Sequence, residues 1–398
     1  MIKRVEVNYR GIFQKSLGKY IGSDIVMIAS RMGKVAFSNG RYSDSPERNG
    51  IPCKYFAFVS PDLSEEELEA ECGAKMDIDE ADVSLVMDDT MVKGVEPWGW
   101  HGVRPINEKV HEKGCLLVVT RKSHDHLLKF IARKPFNYRL ATLEGDASLA
   151  GLWVFKDDLT RERSLGAIAA VDPGIISIEA VEEYLFEKTK EKHRAQAARE
   201  AYDATLRHIK LVTPEQGIDW PYEIPVLPKW HEFEEGGVAV PAVPRGFKMG
   251  PKGQTRNDMF KRGTTKTERP VVRFDLCIKC TLCWLECPDE CFDPTEDGLY
   301  DINYEVCVGC HKCAAVCPIP ECIVMVDELK FEDNSSPWQH HIRDPQGYIQ
   351  WAEEKKGKKR IHYPYVTGTG MEYRDGEVVP PKEKKRRRRA AREADGAH

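Results

Sequence analysis

The sequence predicts two folded units of different class. An α/β domain with a largely parallel sheet is expected over residues 1–210, and a small α+β unit over residues 271–328. Three observations carry this. Strand and helix patterns alternate through the first half. A Pro- and Gly-rich stretch without periodicity, read as an extended linker, fills 211–270. Ten of the thirteen cysteines then fall between positions 277 and 322. Residues 329–398 are polar, end in the basic run "KEKKRRRR", and are read as a C-terminal extension with a basic tail.

The elements of the first unit can be justified in order. "KRVEVNY" alternates as a strand, and "SDIVMIASRMGK" has helical apolar spacing that stops at a glycine after the last apolar position. "KYFAFVS" is a second strand. Ser64 then precedes a run of acidic residues, which suits a helix start because carboxylates are stabilised near the first-turn amides. "ADVSLVMDD" and "KGCLLVVT" are apolar runs of buried-strand length. Residues 174–208 give two amphipathic helical stretches that close the unit. Strands alternating with helices argue for a layered α/β arrangement.

Composition limits the function classes. A net charge of −5 gives no general reason to expect nucleic acid or an anionic membrane as partner. No apolar run is long enough to span a bilayer, and "MIKRVEVNYRGIF" has no secretory h-region, so a cytoplasmic location is expected. In that compartment an odd number of clustered thiols points to metal or redox chemistry rather than disulfides.

The cysteines contain a repeat. Cys277, Cys280, Cys283 and Cys287 recur thirty positions later as Cys307, Cys310, Cys313 and Cys317, each run followed by a proline. C-x2-C-x2-C-x3-C-P occurring twice is the bacterial ferredoxin pattern for two 4Fe–4S clusters. Three thiolates on one tight loop can face one cube, and the fourth, turned away before the proline, reaches the other. Cys277, Cys280, Cys283 and Cys317 are therefore expected to hold one cluster, and Cys307, Cys310, Cys313 and Cys287 the second. A zinc ribbon would need paired C-x2-C units instead. "VVRF", "LYDINY" and "CIVMV" suit the small antiparallel sheets of such a unit. Cys291 and Cys322 lie outside both runs and are read as small buried hydrophobes, as are the scattered Cys53, Cys72 and Cys115. The second loop has Gly309, with the backbone freedom for close approach to sulfide, where the first has Lys279. An ammonium at Lys279 would make the two cluster potentials unequal, unless it points into solvent.

The cysteine block, including "CWLECPD" and the preceding "TKTERPVV", resembles the delta subunit of 2-oxoacid:ferredoxin oxidoreductases. "SPERNGIP" (45–52) and "GIISIEAVEEYL" (174–185) resemble stretches of the gamma subunit of the same family, so the chain looks like a gamma/delta fusion of the pyruvate synthase or oxalate oxidoreductase type. The resemblance implies an electron-transfer subunit without its own catalytic centre. It implies alpha and beta partner chains carrying thiamine diphosphate, Mg and a further 4Fe–4S cluster, in a dimer of heterotrimers. Electrons from a 2-oxoacid would pass through the two clusters to an external ferredoxin. The family's thiamine signature is absent here, "EGDASLAG" (144–151) being the nearest string. The family's gamma subunit has G-x-G-G-Q-G after its first strand. Here Gly11, Gly18 and Gly22 are out of that register, which argues against a dinucleotide site. The competing reading is a stand-alone electron carrier with an α/β docking domain.

Other signals carry less. "GFKMGPKGQT" lacks the Ser or Thr that a phosphate loop needs after its lysine. The paired histidines of "SHDHLLKF" and "QHHI" have no third ligand in register, and "EPWGWHG" reads as a packed aromatic turn. The terminal basic run reads as a solvated tail.

Overall fold

A computed structural model describes residues 2–41, 52–72, 78–96, 102–145, 159–224 and 263–356, and the backbone of 372–374 and 377–379. Among the stretches singled out above, "GFKMGPKGQT", the basic run and most of "SPERNGIP", "EGDASLAG" and "EPWGWHG" lie outside the described residues.

The first unit runs β1 (Lys3–Arg10), α1 (Gly11–Arg31), β2 (Val35–Arg41), β3 (Pro52–Ser60), α2 (Glu65–Cys72), β4 (Ala81–Val86), β5 (Val110–Val119), α3 (His124–Leu127), β6 (Tyr138–Leu143), α4 (Thr160–Val171), α5 (Ile178–Thr189), α6 (Lys192–Arg207) and β7 (Ile209–Val212). One seven-stranded sheet results, in the order β2-β3-β1-β4-β5-β6-β7. The β1–β4, β4–β5 and β5–β6 pairs are parallel. Only β3 and β7 run against the rest, pairing antiparallel with β1 and β2 and with β6. The expected parallel sheet is thus found at its centre, with antiparallel strands toward both edges.

Both faces of the central strands are covered, which is why they read as continuous apolar runs. In β5, Cys115, Leu117 and Val119 point into the core beneath α1, α4, α5 and α6, while Leu116 and Val118 face the opposite core. Burying each such Leu or Val stabilises the fold by roughly 1.5–3 kcal/mol. At the start of α2, Ser64 Oγ accepts the Glu67 amide at 3.3 Å and the Ser64 amide donates to Glu67 Oε2 at 2.9 Å, a reciprocal cap. Gly33, at φ +73°, closes α1.

The glycines after β1 have a packing role. A Cβ on Gly18 would stand 2.9 Å from Tyr9 Cδ1, and one on Gly22 2.5 Å from Tyr55 Cδ1. They let α1 lie directly on the sheet. Asp24, two residues on, accepts Arg161 Nε and the Tyr184 hydroxyl, each at 2.5 Å, and Lys188 Nζ at 3.0 Å, tying α1 to α4 and α5.

The second unit comprises β8 (Glu268–Val272), α7 (Leu282–Leu285), β9 (Phe292–Pro294), β10 (Tyr300–Ile302), α8 (Lys312–Val316), β11 (Ile323–Asp327), α9 (Pro337–Arg343) and α10 (Pro345–Lys355), followed by the short hairpin β12 (Glu372–Arg374) and β13 (Glu377–Val379). β8 pairs antiparallel with β11, and β9 with β10. Three expected boundaries move, the 210/211 limit falling inside β7, whose Val212 pairs with Tyr138 of β6. The 270/271 limit falls inside β8, and the preceding Thr264, Thr265, Lys266 and Thr267 are buried. Residues 337–355, expected as polar extension, fold as two helices over the small core. Tyr348 and Ala352 are fully buried, and the Tyr348 hydroxyl donates to Val272 O at 2.8 Å. The histidines of "QHHI" join this aromatic packing, His341 against Phe274 at 5.0 Å and His340 against Trp351 at 5.2 Å.

The units meet at the C-terminal ends of the parallel strands. Arg10, at the end of β1, donates to Thr264 O at 2.7 Å. Lys93 Nζ reaches Glu328 Oε1 at 2.6 Å, and Lys122 Nζ lies 2.9 Å from Asp89 and 3.0 Å from Asp327. Leu329 joins the apolar core of the sheet. In open α/β sheets this edge is where ligand crevices form; here segments 264–266 and 327–329 cover it. No helix among the described residues is long and apolar enough to cross a membrane.

Candidate metal centre

The cysteine loops are built alike. Lys279 and Gly309, thirty positions apart, both have left-handed backbone (φ +59° and +64°), and so do Thr281 and His311 (φ +65° and +68°). Alternating left-handed residues turn successive amides to one side of a loop, a geometry that suits an anion. The amides reach the thiols accordingly: Trp284 to Cys283, Gly309 to Cys307 and Lys312 to Cys310.

Cys277, Cys280, Cys283 and Cys317 line one cavity, walled by apolar groups including Val272, Phe292 and Ile323. The structure therefore brings together the three thiols of the first run and the last thiol of the second. Cys287, Cys307 and Cys310 all act electrostatically on Cys313, as does Cys283 of the first run, and Cys287 and Cys307 act on Cys310. Burial pushes Cys283 and Cys310 up to about 11, and Cys313 well above the ordinary thiol value, whereas hydrogen bonding from Cys291 holds Cys287 down at about 7 and lowers Cys307. Among the described residues no three His, Cys, Asp or Glu side chains converge as ligands of a single ion would. Soft thiols around a shared space fit an iron–sulfur cube better than one metal atom.

Cys291 and Cys322 are buried, as expected, but they are not isolated in the core. Cys291 N donates to Cys287 Sγ at 3.3 Å, and its thiol is pushed up by hydrogen bonding to Cys287 and then Cys307. Cys322 lines the first cavity, and burial together with Cys317 and Cys277 pushes its thiol up. A fifth thiol thus adjoins each set, a feature that the x2-x2-x3 spacing could not reveal. Cys53, Cys72 and Cys115 are buried away from the loops, and burial pushes Cys115 up to about 12.

The structure adds two points about the loops. Lys279 does not reach toward the thiols: its Nζ donates to Asp297 O at 2.5 Å on an exposed turn. Gly309 is needed for its approach to β8, because a Cβ there would lie 2.4 Å from Glu268 O. Beneath that glycine is Lys266, only 1% exposed, whose Nζ donates to Gly263 O and Tyr304 O, each at 2.6 Å. Burial pushes its ammonium down to about 8. Arg269 is stacked between Tyr304 and Phe331, its guanidinium carbon 4.4 Å from each ring centre, and is paired with Glu328. None of these three charged residues carries a sequence signal, since Glu328 lies 59 positions from Arg269.

A sequence profile described as "4Fe-4S dicluster domain" matches residues 271–325. Pyruvate synthase subunit PorD of Thermotoga maritima is 33% identical over 105 residues, 26% of this chain and 93% of that protein. The delta subunit of NADH-dependent phenylglyoxylate dehydrogenase of Aromatoleum evansii is 43% identical over 56 residues, 14% of this chain and 59% of that one. Among solved structures, the gamma subunit of a keto/oxoacid ferredoxin oxidoreductase from Geobacter sulfurreducens aligns with 53% of this chain and 99% of its own, at 16% identity and a TM-score of 0.36.

Proposed function

The chain belongs to the family of two-cluster subunits that includes pyruvate synthase subunit PorD, and on that premise we propose that it is the electron-transfer subunit of a 2-oxoacid:ferredoxin oxidoreductase, a gamma/delta fusion. The observation that carries the reading is the crossed thiol arrangement, in which Cys317 joins the first loop's cavity. Cys277, Cys280, Cys283 and Cys317 would hold one 4Fe–4S cluster, and Cys287, Cys307, Cys310 and Cys313 the other. When bound, two such clusters supply one-electron carriers. The chain's own residues do the rest. Loop amides point at the thiols, apolar walls exclude water, and the Lys93–Glu328–Arg269 contacts fix the cluster-bearing unit against the α/β sheet.

The gamma-type assignment of residues 1–210 is supported by the "SPERNGIP" and "GIISIEAVEEYL" stretches. On this reading thiamine diphosphate, Mg and a further cluster belong to alpha and beta partner chains. The assembly is a cytoplasmic dimer of heterotrimers that delivers electrons to an external ferredoxin. Anaerobic purification of the native complex tests this. Co-elution with two further subunits and thiamine diphosphate, and bleaching of the cluster absorbance by a 2-oxoacid, are expected. A chain that elutes alone and is not reduced by any 2-oxoacid would be a stand-alone carrier.

A further inference from the structure

The two halves of the cluster unit place different charges beneath their thiol loops. In the second half, Gly309 lies on β8, where a Cβ would come 2.4 Å from Glu268 O and 2.8 Å from Lys266 Cβ. The matching contact in the first half joins Gly298 and Lys279, a Cβ on Gly298 standing 3.7 Å from Lys279 Cδ. Residues 268 and 298, like 279 and 309, are thirty positions apart, so the repeat holds in space as well as in sequence. By the same repeat the counterpart of Lys266 is Glu296. Lys266 is buried, whereas Glu296 is exposed. The lysine nearest the first loop, Lys279, is turned outward onto Asp297 O.

A buried ammonium interacts through low dielectric, while an exposed one is screened by water and salt. Lys266 hydrogen-bonds to two neutral carbonyls and acts electrostatically on Cys307. Glu328 faces it, itself paired with Arg269 and Lys93, and Glu96 and Glu305 line the same crevice. Whatever the balance among these neighbours, neutralising Lys266 removes one positive charge beside the second thiol set and none beside the first.

We infer that Lys266 is a positioning residue that raises the reduction potential of the cluster held by Cys287, Cys307, Cys310 and Cys313 above that of its partner, making the second set the end of the pair where an electron rests. The inference rests on both thiol sets holding 4Fe–4S clusters. Reduction adds one electron, and so one negative charge, to the cluster; in a titration run at pH 7 Lys266 is charged, so the buried cation stabilises that charge and no proton need move. The ordering places the buried cation, and not Lys279, in control of the difference between the two clusters.

The test is an anaerobic redox titration of the full chain, with dithionite as electron donor and electron paramagnetic resonance as readout. Cys310→Ser marks the signal of the second set. Lys266→Met should lower that midpoint by at least the one-electron equivalent of a tenfold change in equilibrium constant, about 59 mV. Lys266→Arg should keep it, and Lys279→Met should move neither midpoint. Should Lys266→Met lose iron, Lys266→Gln, which retains an N–H donor for the carbonyls, should show the same fall. Unchanged midpoints in the neutral variants, or an equal shift with Lys279→Met, would overturn the inference. So would loss of iron from both neutral variants, because the role of Lys266 would then be structural. A wild-type chain with one cluster or none would fail earlier, at the cluster assignment itself.

Discussion

Glu328→Gln should loosen the junction between the two units. Glu328 is 3% exposed, accepts Lys93 Nζ at 2.6 Å and Arg269 Nε at 2.8 Å, and makes a second contact with the same guanidinium. Burial alone would raise its carboxyl, but Lys266, Arg269 and Lys93 together pull it down from 4.5 to about 2. A shift of that size is worth about 3 kcal/mol. Removing one partner of a buried ion pair costs about 3–5 kcal/mol, which agrees. Because the folded value is depressed, this stability is fully present above pH 4.5 and is lost as pH falls through about 2. The contribution is therefore complete at neutral pH. Hydrogen exchange of the anaerobic holoprotein, read by mass spectrometry, reports local opening without assuming two-state unfolding. Amides of 263–272 and 323–331 should exchange on the order of a hundredfold faster in the variant, with the β4 and β5 amides changed far less. A change no larger than that of the exposed-site variant Glu332→Gln would show that Glu328 does not lock the junction.

Further outcomes follow from close approaches and from the thiol sets. Gly309→Ala combines a left-handed backbone with a Cβ 2.4 Å from Glu268 O, and should cost about 1–3 kcal/mol and reduce iron occupancy at the second set. Gly166→Ala would put a Cβ 2.0 Å from Ala198 O, forcing α4 off α6; a loss of at least about 1–3 kcal/mol should appear as a lower melting temperature with iron content unchanged. Cys291→Ala and Cys322→Ala should each retain about eight iron atoms per chain, whereas Cys310→Ala should lose roughly half of them. Iron loss on replacing Cys291 or Cys322 would make the fifth thiols ligands.

The parts of the structure legible in the sequence are those set by local pattern. β1, β3, β4 and β5 were visible as apolar runs, α5 and α6 as amphipathic stretches, and the crossed thiol sets as a spacing. α4 was not legible because it is buried nearly all round, from Glu162 to Val171, and so has no polar stripe to mark a period. β2, β6 and β7 lie away from the sheet centre, are short or mixed in character, and carry no strand pattern that stands out in the sequence. α9 and α10 were masked by charge, because their buried face consists of a few aromatic and small residues, Tyr348 and Ala352 foremost. The Lys266–Arg269–Glu328 group depends on contacts between segments far apart in the chain. The direction of Lys279 was left open between the thiols and solvent, since position in a loop does not say which way a long side chain turns.

The central claim is that two crossed four-thiol sets hold two 4Fe–4S cores. Native mass spectrometry of the anaerobically purified full chain tests it most directly. The expected result is a mass increment of two Fe4S4 cores that falls to one core in Cys310→Ala. An increment of a single core, or of zinc alone, in the wild-type chain would contradict it.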